Sequence, residues 1–169
     1  MLRPGPDGDP RLVGGVVCFP SSWALEEKVG RDVAWIHEVV PGLNHALRAP
    51  IDNFLARLRP GVAFRRHNWG LSRWPQLNQH PSLNLPKLAP PLRVEDVCLR
   101  LEHQALVALP HSGGVLFGID VRVHPLADIV AEPGVARRLR RAIETMPEAM
   151  AHYKNLHAAR GELLRLLAG

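Results

Sequence analysis

The sequence has few residues of the kinds that cross-link or anchor small proteins. Its 169 residues include only two cysteines, Cys18 and Cys98, which are too few for a disulfide framework, a zinc finger or an iron–sulfur cluster. No stretch approaches the roughly 18 uninterrupted apolar residues of a membrane span. Residues 1–10 (MLRPGPDGDP) also lack the apolar core of a signal peptide. We therefore expect a soluble protein with a cytoplasmic location.

Motifs for nucleotide binding and for hydrolysis are also missing. Neither G-x-G-x-x-G nor G-x-x-x-x-G-K-[ST] occurs, so the chain has no Rossmann or P-loop signature. G-x-S-x-G is absent, so Ser112 is not part of a nucleophile elbow. There is no H-E-x-x-H and no His/Cys cluster, which disfavours a structural or hydrolytic zinc site. Self-contained hydride transfer and serine hydrolysis are therefore disfavoured.

The composition is that of one globular domain with a modest basic excess. Hydrophobic residues make up 46% of the chain and charged residues 22%, enough to build a core. Lys+Arg number 21 against 16 Asp+Glu, and several of the arginines lie together at 137–141 (RRLRR). Such a patch suits an acidic partner subunit or only water. No aromatic residue interleaves with these arginines, which disfavours nucleic acid as the partner.

Residues 96–126 are the most strongly patterned part of the chain. Two runs alternate apolar and polar residues with the period of a β-strand, and the PHSGG turn sequence at 110–114 separates them. This pattern predicts a β-hairpin with one buried side. In the first strand Arg100, Glu102 and Gln104 share one face. They either point to solvent or line a pocket on the concave side of a curved sheet, and the strand alone leaves both interpretations open.

The flanking segments predict further strands and helices. Before the hairpin we expect a disordered lead-in over 1–10, a strand over 12–19, a short helix over 31–40, a second helix over 43–58 that begins afresh at Pro50, a strand over 62–72 and a proline-rich loop or lid over 73–95. After it we expect helices over 125–131, 135–146 and 147–167.

The order of these elements predicts an α+β fold with an antiparallel sheet. A strand and short helices followed by a three-strand meander is the plan of a PAS-like domain, in which a ligand lies between a curved sheet and a helical layer. We assign residues 11–132 to this domain and residues 133–169 to C-terminal helices packed on it.

If the strand over 62–72 neighbours the hairpin, Arg66 could pair with Glu102. His37, near the apolar stripe of a short helix, is either a core residue or a haem ligand.

Four segments, taken in order, carry a resemblance to a known family. They read CFPSSWALEEKVG with DVAWIHEVVPG, then RHNW, then LRLEHQALVALPHSGGVLFGI, and finally HPLADI with TMPEAMAHYK. In that order they resemble the alpha-subunit-like family of haem-dependent oxidative N-demethylases, the dimethylamine monooxygenase type. The resemblance covers about residues 13–156.

This resemblance implies a haem-binding PAS fold that acts as an enzyme. In the family a histidine holds haem b, dioxygen is activated at the iron, and a small alkylamine is oxidised to amine and formaldehyde. Electrons arrive from reductase- or ferredoxin-like partner subunits that carry flavin and an iron–sulfur centre. This chain is therefore expected to hold neither of those two groups, and a homo-oligomer is left open.

The resemblance also assigns site residues. His37, in I-H-x-x-V-P, is identified with the axial haem ligand, which leaves the sixth iron position free. Arg66 of R-x-N-W and Glu102 of L-R-x-E-x-Q are identified with a distal polar pair that hydrogen-bonds oxygen or orients the amine. The further pocket or propionate contacts are Asn68, Trp69, Arg100 and Gln104.

Two departures from the family pattern leave alternatives open. Related sequences tend to have Arg-Gln-Thr where this chain has HQA at 103–105, and Ile-Arg-Thr-Tyr where it has IDVR at 119–122. The missing arginine and tyrosine motivate an alternative function, a non-catalytic haem- or gas-sensing domain on the same scaffold. A third alternative is an interaction module that uses the arginines of 137–141.

Overall fold

Residues 1–168, which the computed structural model describes, form one five-stranded antiparallel sheet with helices on both faces. The strands are β1 (Leu2–Pro4), β2 (Pro10–Leu12), β3 (Ala63–Ser72), β4 (Cys98–Ala108) and β5 (Val115–Pro125), in the order β2-β1-β5-β4-β3. The helices are α1 (Val33–His37), α2 (Leu43–Arg57), α3 (Leu126–Val130), α4 (Pro133–Glu144), α5 (Glu148–Tyr153) and α6 (Arg160–Leu166). The predicted α+β class with an antiparallel sheet is confirmed, and the PAS-like name stays a prediction.

The β4–β5 hairpin forms as its alternation predicts. Ala108 lies opposite Val115 at the turn, and Cys98 lies opposite Pro125 at the far end. In the turn the Leu109 amide donates to the Gly114 carbonyl over 2.8 Å, and Gly113 has φ of +62°, which glycine adopts without a Cβ penalty. This hairpin, joined by β3, is the platform of the molecule.

The two faces of this platform are covered by different parts of the chain. α2 packs on one face, where Leu55 and Leu58 contact Leu106 and Val115. The helices after β5 pack on the other, and their main core is shared with the sheet. We call these the α2 face and the C-terminal face. The largest fully buried side chains all belong to the C-terminal face: Val97, Leu126, Ile143, Leu156 and Leu163.

The N-terminal residues differ from the prediction. The expected disordered lead-in is wrong, because β1 pairs with both β2 and β5 and places Leu2 against Val115. The expected strand over 12–19 is also wrong beyond Leu12. In that segment Val16 is 88% exposed. An apolar run forms a strand only where a neighbouring strand takes up its backbone hydrogen bonds and its side chains gain burial.

Two helices also differ from the prediction. α2 runs through Pro50 without restarting, since one proline removes only a single N–H···O bond from the helix. The expected helix over 147–167 is divided into α5, a 3₁₀ turn (His157–Ala159) and α6. The division falls at Asn155, whose φ of +56° ends α5 in the left-handed conformation that asparagine tolerates.

The proline-rich segment between β3 and β4 wraps around the edge of the sheet. Near its start, the carbonyls of Gln76 and Leu77 meet Arg100 on the α2 face. Near its end, Leu88 and Leu92 are buried in the core of the C-terminal face. The segment therefore covers the end of β3 at Ser72, and β3 is the last strand of the sheet on that side.

Candidate functional site

Register brings four of the predicted site residues together on the α2 face. Asn68 of β3 lies opposite Glu102 of β4, and Arg66 lies opposite Gln104. Residues directly opposite each other in an antiparallel pair point to the same side, and so do residues two apart on one strand. The four side chains therefore form one polar patch halfway along β3 and β4.

Glu102 is the centre of this patch. Its Oε2 accepts hydrogen bonds from Asn68 Nδ2 at 3.2 Å and from Gln104 Nε2 at 2.7 Å. The side-chain oxygen of Gln104 is buried and has no hydrogen-bond partner among the residues described. Two neutral amides thus hold the Glu102 carboxylate in place through one of its oxygens.

The predicted ion pair between Arg66 and Glu102 is wrong for this structure. No contact between the two is found among the ion pairs of residues 1–168. The reason is register: Arg66 faces Gln104 directly and lies diagonal to Glu102, at a greater separation. The Arg66 guanidinium is exposed on the α2 face and remains available to a ligand.

His37 lies at the last position of α1, beside the α2 face. The helix begins at Asp32, whose side chain accepts a hydrogen bond of 2.7 Å from the Trp35 amide. Partial burial lowers the pKa of His37, the positive charge of Arg66 lowers it further, and the carboxylate of Asp52 opposes both. A lowered pKa keeps the imidazole neutral near pH 7, which is the form that ligates a metal.

Large apolar side chains surround this polar patch and are poorly covered. Phe64, Phe117 and Ile119 on the α2 face are 43%, 38% and 37% exposed. On α2, Phe54 meets Phe64 edge to face at 5.1 Å, and Leu47 is 45% exposed. Clustered exposed apolar side chains beside convergent polar groups are typical of a ligand-binding face. A neutral histidine, an apolar surface and a few polar groups are also the set that a haem requires, so the residues present fit this cofactor.

Arg100 also lies on the α2 face but is already engaged. Its side chain is almost fully buried. It donates to the carbonyls of Gln76 and Leu77 at 2.8 and 2.9 Å and to Ser21 Oγ at 3.2 Å. Burial lowers its pKa, opposed by the charge of Glu102. Arg100 therefore fastens the segment after β3 to the sheet.

Trp69 is not brought together with the other predicted site residues. It is one residue removed from Asn68, so its ring points to the C-terminal face and packs against the main core. Lys154, just after α5, donates to the Trp69 carbonyl over 2.7 Å, and its ammonium lies 5.0 Å from the centre of the ring. Alternation along β3 already indicates the side on which Trp69 lies.

Tyr153 and Lys154 are neighbours of the site that sequence reasoning missed. Burial lowers the pKa of Lys154, opposed by the charge of Glu102, while burial and the same carboxylate raise the pKa of Tyr153. Both residues lie in the TMPEAMAHYK segment. No local pattern in that segment predicts that the Glu102 charge acts on it, because this proximity depends on how the C-terminal helices dock at the β3 edge.

The positions at which this chain departs from the family pattern lie away from the polar patch. His103 and Ala105 alternate with Gln104 and so point to the C-terminal face, and Asp120 and Arg122 do the same on β5. Asp120 and Arg122 form an exposed ion pair of 3.0 Å with each other. Gln104, which agrees with the pattern, points to the α2 face.

The described residues contain neither a metal-binding cluster nor a membrane-spanning helix. Across residues 1–168, no group of three or more His, Cys, Asp or Glu side chains converges as a metal-binding cluster. Within the same range, no helix has both the length and the apolar character that crossing a membrane demands.

The fold and the site define a class: an α+β domain that presents one neutral histidine and a Glu–Asn–Gln patch on a largely apolar sheet face. A family model described as "haem-dependent oxidative N-demethylase, alpha subunit-like" matches residues 1–164, and the chain belongs to this family. The resemblance inferred from the ordered segments is thereby confirmed.

Proposed function

We propose that this protein catalyses the haem-dependent oxidative N-demethylation of a small alkylamine. Membership of the family supports the reaction class. The observation that carries the proposal for this chain is the position of the half-buried His37 at the end of α1, beside the exposed, largely apolar α2 face. The cofactor proposed is haem b, with His37 as its iron ligand.

Bound haem b would supply the iron centre at which dioxygen is reduced and the amine oxidised. The chain's own residues have separable tasks around it. Phe54, Phe64, Phe117 and Ile119 would contact the macrocycle and exclude water. Replacing water with an apolar surface strengthens the polar interactions that remain.

Glu102 would orient the amine. An alkylamine is an ammonium cation near neutral pH, and a fixed carboxylate is the side chain that binds it best. Asn68 and Gln104 occupy Oε2 of Glu102 and leave Oε1 without a hydrogen-bond partner among residues 1–168. Oε1 would accept the N–H of the substrate, and a carboxylate held in advance needs no reorganisation when the substrate arrives.

Arg66 would supply the positive charge of the site. Its exposed guanidinium opposes protonation of His37, which favours the ligating form of the imidazole. It also offers several N–H donors to a dipole or an anionic group on the α2 face. Of the other residues assigned by resemblance, Arg100 would hold the segment after β3 in place. Trp69 would stabilise the core of the C-terminal face.

Electrons would come from partner proteins. The family description names an alpha subunit, which supports assembly with further subunits. We propose that these subunits carry the flavin and the iron–sulfur centre. Transfer of electrons between separate chains requires only transient docking, which a small complementary surface provides.

The experiment compares the protein expressed with haem supply with two single variants. His37→Ala should lose or shift the Soret band, whereas His111→Ala, in the exposed β4–β5 turn, should leave it unchanged. The wild type with a reductase and dimethylamine should then release formaldehyde above a control without amine. Absence of a Soret band in the wild type would refute the proposal. A Soret band without formaldehyde release would favour the non-catalytic sensor.

A further inference from the structure

A cavity lies at the Ser72 end of β3, away from the polar patch of the α2 face. Its volume is about 420 Å³. Ser72 and Arg73 at the end of β3 form one wall, the segment that wraps the edge forms a second, and Lys154 and Asn155 form a third. None of the residues proposed to bind haem or amine lines it. It is therefore independent of the proposed function.

The walls of this cavity are fixed by buried hydrogen bonds. Gln79 is buried and donates from Nε2 to the carbonyls of Trp74 and Gln76 at 3.1 and 3.3 Å. Its backbone joins the chain near Pro20 and Ser22 through two further hydrogen bonds. Arg100 holds the same segment from the sheet side. A ligand would thus meet a site that is already ordered, which reduces the entropic cost of binding.

Positive charge dominates the lining. Arg73, Lys87 and Lys154 all line the cavity, and among its described lining residues none carries a carboxylate. Neither Arg73 nor Lys87 takes part in an ion pair among those found in residues 1–168. Their positive charges are therefore not neutralised within the cavity.

Three carboxylates lie just outside the lining. Glu26 contacts His80 Nε2 at 3.1 Å. Asp96 is paired with Arg93, and the charge of Arg73 also lowers its pKa. The charge of Glu102 raises the pKa of Lys154, against the effect of burial. Two of the three are already hydrogen-bonded to other cations or to a histidine, and Glu102 is held by two amides. They reduce the positive potential of the cavity but do not occupy it.

One unpartnered indole N–H and an unusual backbone occur at the same cavity. The indole N–H of Trp74 is buried and has no partner among the described residues. Ser22, Asn84 and Asn155 are the non-glycine residues with positive φ within residues 1–168, and all three line this cavity. Residues held in sparsely populated conformations cluster where a ligand is gripped.

We propose that this cavity binds the oxyanion group of a small molecule, a phosphate or a carboxylate. Arg73 and Lys87 supply the charge, and the buried Trp74 indole lies in the cavity wall. Guanidinium and ammonium groups together are the usual protein partners of such oxygens. The volume leaves room for more than the anion alone, and we expect the group to be part of a larger molecule.

The test follows the indole N–H resonance of Trp74 in the ¹⁵N-labelled full chain, assigned with Trp74→Phe. Inorganic phosphate and citrate are titrated separately, each against sodium chloride at equal ionic strength. We expect a saturable shift with at least one of the two anions. Saturation by phosphate identifies a phosphate-bearing ligand, and saturation by citrate alone identifies a carboxylate-bearing one.

A charge-matched pair of variants makes the test specific. The double variant Arg73→Gln/Lys87→Gln should weaken binding at least tenfold. Arg138→Gln/Arg141→Gln removes the same charge from exposed positions on α4 and should leave binding within twofold of the wild type. Equal affinity in Arg73→Gln/Lys87→Gln and wild type would overturn the proposal, as would a shift no greater than that with sodium chloride. Neither outcome depends on haem binding or amine turnover.

Discussion

Asn68 and Glu102 lie directly opposite each other on neighbouring strands, and the Asn68 amide donates to the Glu102 carboxylate over 3.2 Å. Gln104, two residues along β4, donates to the same oxygen over 2.7 Å. The alternation of β4 and its register with β3 are together sufficient to assemble this arrangement. Its single free carboxylate oxygen is the feature on which the proposed recognition of an ammonium ion depends.

Replacing Glu102 with Gln should impair turnover without removing haem. The variant keeps the size of the side chain but removes the negative charge that the amine requires, and loss of one charge-assisted hydrogen bond costs about 1.5–3 kcal/mol. We expect kcat/KM for the amine to fall by at least tenfold while the Soret band is unchanged. Glu95→Gln, at an exposed 3₁₀ turn before β4, is the matched control. An unaltered kcat/KM in Glu102→Gln would remove Glu102 from substrate binding.

Truncation of Arg100 should destabilise the fold. Arg100→Ala leaves two loop carbonyls without their donors in a partly buried position, at a cost of about 1–3 kcal/mol. Urea denaturation followed by circular dichroism measures the loss, and limited proteolysis should cut first in the segment after β3. Arg122→Ala, which breaks an exposed ion pair, should change stability by less than about 1 kcal/mol. A similar effect of both variants would show that Arg100 does not fasten the segment.

The stability of the haem-free protein should decrease in mildly acidic solution, in part through His37. Burial and Arg66 hold the pKa of His37 below its ordinary value of 6.5 in the folded state. Below about pH 6.5 the unfolded chain therefore binds more protons at this residue. The contribution of His37 to the free energy of unfolding is complete above that pH. It is lost as the pH falls through the pKa of His37 in the folded state. Urea denaturation at pH 7.5 and 5.5 should show a smaller loss for His37→Gln than for wild type, and equal losses would contradict the prediction.

Restoring the family residues on β5 should leave the site unaffected. Asp120→Arg/Arg122→Tyr reinstates the arginine and tyrosine that related sequences tend to have, but both positions are exposed on the C-terminal face. We expect the Soret spectrum and formaldehyde release to remain within twofold of wild type. A large gain in formaldehyde release would instead show that these departures limit catalysis and would favour the sensor for the natural chain.

Local patterns predicted the elements whose neighbours are close in sequence. The β4–β5 hairpin follows from alternation around a Gly-Gly turn, and the face shared by Arg100, Glu102 and Gln104 follows from the same period. The resemblance added His37, which periodicity alone left between a core residue and a ligand. These features require no knowledge of distant contacts.

Distant contacts account for what could not be predicted. The pairing of Arg66 with Gln104 instead of Glu102 depends on register across a separation of more than thirty residues. Leu2 becomes ordered because it finds Val115 and Leu55, and Lys154 reaches Trp69 because a whole set of helices docks first. Propensity contains no information on such partners, so tertiary packing decides these positions.

The contact between Lys154 and the Trp69 carbonyl has a consequence for self-association. β3 is an edge strand, and an unpaired edge is a template on which a second chain can add a strand. Lys154 donates to the Trp69 carbonyl on that edge, and the proline-rich segment covers the end of β3 at Ser72. The exposed, polar side chains of Arg65 and His67 lie nearer the other end of the strand. The opposite edge, β2, is three residues long and begins with a proline. Both margins of the sheet are thus poor templates for the addition of a strand from a second chain.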